Sequence, residues 1–373
     1  MPNVLNHALE AGHLTLEERP FDALDALILS QLVYLPLDDF LPPDGMCTVE
    51  EAGEYIREHV TVHPLDAFQK KRHELFVTCA ELPRYAFWEI SRYTSIIDRE
   101  REMQFCACIY DMGVARCIAY RGTDMTLIGW KEDFNMSYGN VPSQHEAAAY
   151  LTRAAQGNDD CLYLCGHSKG GNLAVYAAAS VEENVQERIG RVYSFDAPGV
   201  DAGTLHSPGY QRVSERIDSY LPQTSIVGML LNYHPVYTVV KSNTLGVLQH
   251  DSMTWQVRGG LFVTLPGVDR LSSITDETVH IWLEGIEPEE RRFLVNTLYR
   301  IVASSQQELL TGLVSEWKDS AERMLKAARG LTAEEKKGIK RMLRSLFATG
   351  ANEVAAAIVS TLTHRENQNT TEE

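Results

Sequence analysis

Positive charge is scarce in this chain. Its 373 residues carry 34 Lys and Arg against 51 Asp and Glu, a formal net charge of −17. Such a surface repels phosphate rather than neutralising it, which disfavours a nucleic-acid binder. Cysteine occurs seven times but never as Cys-x-x-Cys. The odd number argues against a disulfide framework and the spacing against a zinc knuckle. Cys161 and Cys165 stand in the apolar run Cys-Leu-Tyr-Leu-Cys, where a period of two puts them on one side of a strand as small hydrophobic thiols. The first ten residues lack a basic cluster followed by an apolar run, and no uninterrupted apolar stretch reaches about 18 residues, so neither a signal peptide nor a membrane span is expected and the expected location is cytoplasmic. There is no internal repeat, and low complexity is confined to the polar C-terminal end, expected to fray. What remains, 44% hydrophobic and 23% charged residues, is globular composition, enough for one large core or two to three smaller ones.

The charge is uneven along the chain. From Glu287 to Glu373 there are 13 acidic and 13 basic residues, leaving 38 acidic against 21 basic in the first 286. This tail reads as three helices. Apolar positions 294, 298, 301 and 302 mark the first, and Leu310, Val314, Trp317, Ala321, Met324 and Leu325 continue the spacing. Thr332 with Glu335 forms a capping box before Ile339, Met342, Leu343 and Phe347, and Gly350 follows the last turn. The N-terminal part is also helical in pattern, over Asp22 to Leu35 up to Pro36 and from Val49 to about Trp88 with interruptions at Pro64 and Pro83. Between these ends lie apolar runs with strand character: Met103 to Tyr110, Ala115 to Tyr120, Cys161 to Cys165, Arg191 to Phe195, Ile217 to Leu221, Val236 to Val240 and Trp255 to Leu265. Asp111-Met112-Gly113 makes the first two a hairpin. A helical pattern over Gly170 to Val181, set between strands, predicts an α/β fold with a mostly parallel sheet covered by helices. The expected divisions are a helical region over 1–94, a core over 95–286 and a helical region over 287–373.

Chemistry concentrates at Gly166-His167-Ser168-Lys169-Gly170-Gly171. The Gly-x-Ser-x-Gly pattern follows an apolar strand and opens an Ala-rich helix, the strand-turn-helix setting of a nucleophile elbow. Gly166 and Gly170 allow a turn too tight for a Cβ, and Ser168 is left strained with its hydroxyl exposed. The Lys169 N–H, at the helix N-terminus, then points at an oxyanion forming beside Ser168. A serine hydroxyl needs a base, and the base an orienting carboxylate. Asp196 ends the next strand, before Ala-Pro-Gly. Asp218 is the alternative, although it falls within a predicted strand. Chain order leaves His206, His234, His250, His280 and His364 as bases. His250 is favoured, because Leu-Gly-Val-Leu-Gln-His enters a polar turn near a sheet edge. A second oxyanion donor is expected at Arg121-Gly122-Thr123, where Gly122 permits close approach and Thr123 offers its N–H and hydroxyl. Trp130 and Asp133, one helical turn apart, place an aromatic and a carboxylate on one face, with Asp133 able to hold the Thr123 hydroxyl. Leu127, Ile128, Trp130, Phe134 and Met136, within residues Met125 to Tyr138, suit a lid over an acyl pocket.

These strings resemble known proteins. Tyr-Arg-Gly-Thr (120 to 123) with Trp130 and Asp133, then Gly-His-Ser-Lys-Gly-Gly, resemble the class-3 lipase pattern. Gln-Phe (104, 105), Arg-Gly-Thr-Asp, Gly-Trp-Lys-Glu-Asp-Phe-Asn-Met, Gly-His-Ser-Lys-Gly-Gly-Asn-Leu-Ala-Val-Tyr-Ala and Ser-Ile-Val-Gly (225 to 228) are similar, more closely, to the bacterial Mbeg-like family over roughly residues 22 to 260. The resemblance implies an α/β-hydrolase, lipase-like core with Ser168 as nucleophile, Thr123 as oxyanion residue and His250 as base. Where class-3 lipases carry the acid in Asp-Pro-Val-Pro, this chain has Ser225-Ile226-Val227-Gly228, and Asp196, in a loop position used by some other lipases, is the substitute. The expected function is serine hydrolysis of an ester or thioester of a small acyl or lipid-like molecule. Neither cofactor nor metal is called for. Two rivals use the same residues: an amidase or peptidase, and a catalytically silent protein that engages a protein partner through its helical ends.

Overall fold

The computed structural model describes residues 1–62, 66–124, 126–136, 139–157, 159–225, 227–229, 231–232, 234–268, 285–305, 317–342, 344–345 and 348. His280 and His364 lie outside these residues, as do Pro64, Met125, Tyr138, Ile226, Leu310, Val314, Leu343, Phe347 and Gly350 of the patterns above.

A nine-stranded sheet organises the described chain. Its strands are β1 (Met46–Thr48), β2 (Glu89–Asp98), β3 (Met103–Asp111), β4 (Arg116–Tyr120), β5 (Leu162–His167), β6 (Ile189–Phe195), β7 (Ile217–Pro222), β8 (Tyr237–Val240) and β11 (Thr264–Leu265), side by side in that order. β4 to β8 are parallel neighbours, while β1, β2, β3 and β4 pair antiparallel in series and β11 pairs antiparallel with β8. The sheet is therefore mixed rather than mostly parallel, a correction that comes from strands the hydrophobic pattern did not reveal. β2 hides because a register shift between Ser91 and Thr94, with Arg92 at φ 49°, interrupts its alternation. β1 is three residues long. Consequently residues 1–94 are not purely helical, since they contribute β1 and the start of β2 to the sheet. The apolar stretch from Trp255 to Leu265 likewise is not one strand. Gly259 and Gly260, both at positive φ, turn the chain between β9 (Val257–Arg258) and β10 (Leu261–Phe262), and β11 follows.

Every residue of β3 from Met103 to Tyr110 is buried, so both sheet faces are covered. On one face lie α1 (Val4–Ala11), α2 (Ala23–Leu32), α3 (Val49–His59), α4 (Ala67–Ala80) and α5 (Pro83–Ala86), packed around Cys106, Cys108, Tyr110, Cys117 and Cys165. α2 starts at an Asp22–Asp25 capping box and buries every residue except Ala23. Its Leu24, Leu27, Ile28, Leu29 and Leu32 each contribute about 1.5–3 kcal/mol by leaving water. The helix stops at Leu32 rather than Leu35, and residues 33–35 form a turn ahead of Pro36, whose ring disfavours helical geometry in the residue before it. On the other face, α7 (Pro142–Ala154), α8 (Lys169–Ser180), α9 (Glu183–Glu187), α10 (Ala202–Leu205) and α11 (Pro208–Val213) pack around Phe105, Ile118, Tyr120, Leu164 and Val192. Cys165 is buried, whereas Cys161 precedes β5 and is exposed. The predicted hairpin turn is closed by the Gly113 N–H donating to the Asp111 carboxylate at 2.9 Å.

α6 (Leu127–Asn135) lies against β3, and α12 (Pro288–Ala303) packs against α6, with the Lys131 ammonium 4.6 Å from the Tyr299 ring centre. α13 (Trp317–Arg329) packs on α12, and residues 333–342 form a further helix behind the Thr332–Glu335 capping box. Among the described residues no helix is long and apolar enough to cross a membrane.

Candidate active site

The end of β5 and the start of α8 make the turn that carries Ser168. A Cβ on Gly166 would stand 2.1 Å from the Gly170 carbonyl carbon, and one on Gly170 would stand 2.1 Å from the Tyr120 carbonyl oxygen. Only glycine lets the strand, the helix and the end of β4 approach this closely. Ser168 itself sits at φ 57° and ψ −132°, outside the regions that L-residues favour. Its N–H is held by the Phe195 carbonyl at 2.9 Å, so β6 fixes the strained turn.

The His250 ring comes to this turn from the end of a short 3-10 helix, Gly246–His250. Its Nε2 is 3.1 Å from Ser168 Oγ and its Nδ1 is 2.7 Å from Asp196 Oδ2. A carboxylate accepts, so Nδ1 carries the proton and Nε2 is left to accept from the serine hydroxyl. Asp196 follows β6 at φ 44° and is buried. Its Oδ1 accepts from the Ser225 hydroxyl at 2.5 Å and from the Gly228 N–H at 3.2 Å. The segment at 225 to 228 thus supplies donors to a carboxylate that comes from another loop. Asp218 is engaged elsewhere, its carboxylate 3.5 Å from Arg191. His234 meets the Tyr210 hydroxyl at 2.8 Å, and His206 bonds the Ala202 carbonyl at 2.7 Å.

Gly228 has no room for a side chain. A Cβ there would lie 2.6 Å from Asp196 Oδ1 and 2.3 Å from Leu221 Cδ2. Gly228→Ala is expected to push the carboxylate off the His250 ring, measured as loss of the downfield proton resonance of His250 Nδ1–H with folding followed by circular dichroism.

At the end of β4, Gly122 runs against the elbow: a Cβ would be 2.5 Å from the His167 carbonyl oxygen and 3.3 Å from Ser168 Cβ. The next residue, Thr123, donates its hydroxyl to Asp133 Oδ2 on α6. Burial pushes the Asp133 carboxyl up to about 6, against the lowering pull of the Lys169 ammonium and the Thr123 hydroxyl. Asp133 Oδ1 is buried with no hydrogen-bond partner among the described residues. An acid that binds its proton more tightly folded than unfolded weakens the fold as pH rises through the interval between the two values, here from about 4 to 6. Removing the charge with Asp133→Asn is therefore expected to raise unfolding free energy above pH 7 by as much as about 3 kcal/mol, and to have no such effect below pH 4. Denaturant midpoints at about pH 3 and pH 8 measure this.

Trp130 is 45% exposed, and its ring centre lies 6.4 Å from that of Phe134, which is 54% exposed. Leu127, Ile128 and Met136 are buried. The Lys169 side chain turns into the protein, where its ammonium meets Gln104 and Glu132.

Sequence reasoning missed several residues here. His167 is buried, and its Nε2–H donates to the His250 carbonyl at 2.7 Å, with the two rings 4.7 Å apart. Burial, the His250 ring and Arg72 hold its pKa well below the ordinary histidine value, so it is neutral. Ser225, Gly228, Glu132 and Gln104 also stand in quoted strings, but nothing local in those strings says which distant group each meets. Among the described residues no group of three or more His, Cys, Asp or Glu is arranged to hold a metal ion.

A hydroxyl, an imidazole and a carboxylate in a hydrogen-bonded row, with a helix N-terminus beside the hydroxyl, are arranged to move a proton off oxygen and to stabilise negative charge next to it. Comparison with curated proteins finds no match. A family model described as Mbeg1-like matches residues 79–300, more than half of the chain and the span that holds all the residues of this site, and the chain therefore belongs to the Mbeg1-like family.

Proposed function

We propose that the protein is a serine hydrolase of the α/β-hydrolase, lipase-like kind that cleaves a carboxylic ester or thioester. The observation that carries this reading is the row Ser168 Oγ, His250 Nε2 at 3.1 Å, and His250 Nδ1 to Asp196 at 2.7 Å, mounted on a strained turn. Ser168 Oγ attacks the acyl carbon while its proton passes to His250 Nε2, and Asp196 stabilises the imidazolium. The oxyanion is held by the N–H groups of Thr123 and Lys169. Collapse expels the alcohol or thiol with the proton from His250, leaving an acyl-serine. Water, deprotonated by the same imidazole, then releases the acid and restores Ser168. Support for an acyl-bearing, lipid-like substrate comes from the exposed apolar side chains on the elements leading to the site: Trp130 and Phe134 on α6, and Leu245 and Leu248 in the segment before His250.

The test needs no substrate. Intact protein is incubated with a fluorophosphonate and weighed by mass spectrometry, alongside Ser168→Ala. One adduct on the wild type and none on the variant is the expected result. A folded wild type that takes up no probe, with or without detergent, overturns the reading in favour of a silent scaffold. A panel of matched ester, thioester and amide substrates separates esterase from amidase.

A further inference from the structure

α6 carries two consecutive carboxylates, Glu132 and Asp133, and each reaches a different residue of the oxyanion site. Asp133 accepts from the Thr123 hydroxyl. Glu132 accepts from the Lys169 ammonium at 3.0 Å, and both side chains are buried. We propose that Glu132 is a positioning residue for the reaction: through Lys169 it fixes the elbow N–H, so that one helix sets both oxyanion donors, and α6 is a fixed platform rather than a moving lid. This rests on the hydrolase reading above.

The Lys169 ammonium has three donors and three acceptors: the Gln104 carbonyl at 2.9 Å, Gln104 Oε1 at 2.7 Å and Glu132 Oε2. Glu132 is equally occupied. Its Oε2 also accepts the Gln104 N–H at 2.9 Å, and its Oε1 accepts the Ser143 N–H at 3.0 Å. One carboxylate thus ties β3, α6, α7 and the first residue of α8 together. Gly129 makes the seat possible. A Cβ there would come within 3.0 Å of Gln104 Oε1 and 3.0 Å of Thr123 Cγ2, so the helix lies directly on both residues. Swinging α6 outward would leave the buried Lys169 ammonium without its carboxylate and would release Thr123 as well, which sets a high barrier to lid motion.

Replacing a buried ion pair by apolar side chains of similar size is often neutral or stabilising. Stability alone therefore gives little reason for this pair. Position does, because Lys169 contributes its backbone N–H within the same residue whose side chain Glu132 anchors. Displacing one oxyanion donor fully costs on the order of 100-fold or more in rate, and a donor that is loosened rather than removed loses part of that.

The experiment compares wild type, Glu132→Gln and the double variant Glu132→Met with Lys169→Met. It measures kcat and KM for an ester, the affinity for a trifluoromethyl ketone that adds to Ser168 as a tetrahedral adduct, and the thermal midpoint. Expected is a loss of about 10- to 100-fold in kcat, matched by weakened ketone affinity, with KM within about twofold. The double variant is expected to fold with a midpoint near wild type and still show that loss. Wild-type kcat and ketone affinity in either folded variant overturns the inference alone, as does a kcat loss without a loss of adduct affinity. A wild type that binds no ketone and turns over no ester overturns the hydrolase reading, and the inference with it.

Discussion

If the protein is the proposed hydrolase, Ser168→Gly is expected to lose ester turnover by a factor on the order of 10⁶, the scale seen when the nucleophile of a serine triad is removed, while making the protein more stable. Both effects come from one position. At φ 57° and ψ −132° a side chain is in conflict with its own backbone, a strain that costs of order 1–3 kcal/mol. It persists because its surroundings over-determine it. The Ser168 N–H is tied to Phe195, and Gly166 and Gly170 stand against neighbouring backbone on either side. Glycine relieves the strain, since it enters this region without a Cβ. Alanine does not. Ser168→Ala should match Ser168→Gly in lost activity but show little of its gain in thermal midpoint, which for a chain of this length is a few degrees at most. Equal midpoints for the two variants would show that the turn stores no strain. The comparison separates two properties of the elbow that are usually confounded, exposing a hydroxyl and bending a backbone.

What could be read from the sequence differs from what could not in a physical way. The strand-turn-helix setting of Ser168 was legible because it is local: the apolar run, the glycine spacing and the Ala-rich helix all lie within about twenty residues. The three helices of the tail carry their own period, and the last its Thr332–Glu335 capping box; α12, α13 and the helix over 333–342 fall where those signals lie. By contrast β1 and β2 were illegible. A three-residue strand has no period, and the irregularity at Arg92 breaks the one that β2 would show. Their omission is what made the sheet look mostly parallel. At the site, Asp196 and His250 could be nominated by where they fall in the chain. Which of Asp196 and Asp218 meets His250 depends on how β6 and β7 end, which only assembly decides. The partners of Asp196 were further out of reach, since Ser225 and Gly228 are 29 and 32 residues away and act through a hydroxyl and a backbone N–H. Backbone donors leave no trace in a side-chain pattern. Lys169 illustrates the same limit from the other side. Its backbone placement followed from its position after Ser168, whereas its buried pairing with Glu132, 37 residues earlier, did not.

Asp196→Asn is the substitution expected to disable the site most completely while leaving the serine and its base in place. The reason is the orientation that the surrounding donors impose on an amide. Ser225 Oγ and the Gly228 N–H both donate to Oδ1, so an asparagine at 196 must turn its carbonyl oxygen toward them. Its NH2 group then faces His250 Nδ1. A donor at that place requires Nδ1 to accept, which moves the imidazole proton to Nε2, the nitrogen 3.1 Å from Ser168 Oγ. The ring is then in the wrong tautomer to take the serine proton. A loss of about 10⁴ in kcat is expected under the proposed mechanism, the scale seen when the orienting acid of a serine triad becomes an amide. KM and fold should change little, because asparagine has nearly the same size and keeps a hydrogen bond at both ends. Asp218→Asn is the matching control, since that carboxylate faces Arg191 on β6, and its kcat should stay within about twofold of wild type. Should the two variants behave the other way round, with Asp218→Asn inactive and Asp196→Asn unimpaired, the acid would have to be reassigned. Should both retain activity, His250 would be acting without an orienting carboxylate, and the tautomer would be set instead by the His167 bond to the His250 carbonyl and the packing of the two rings.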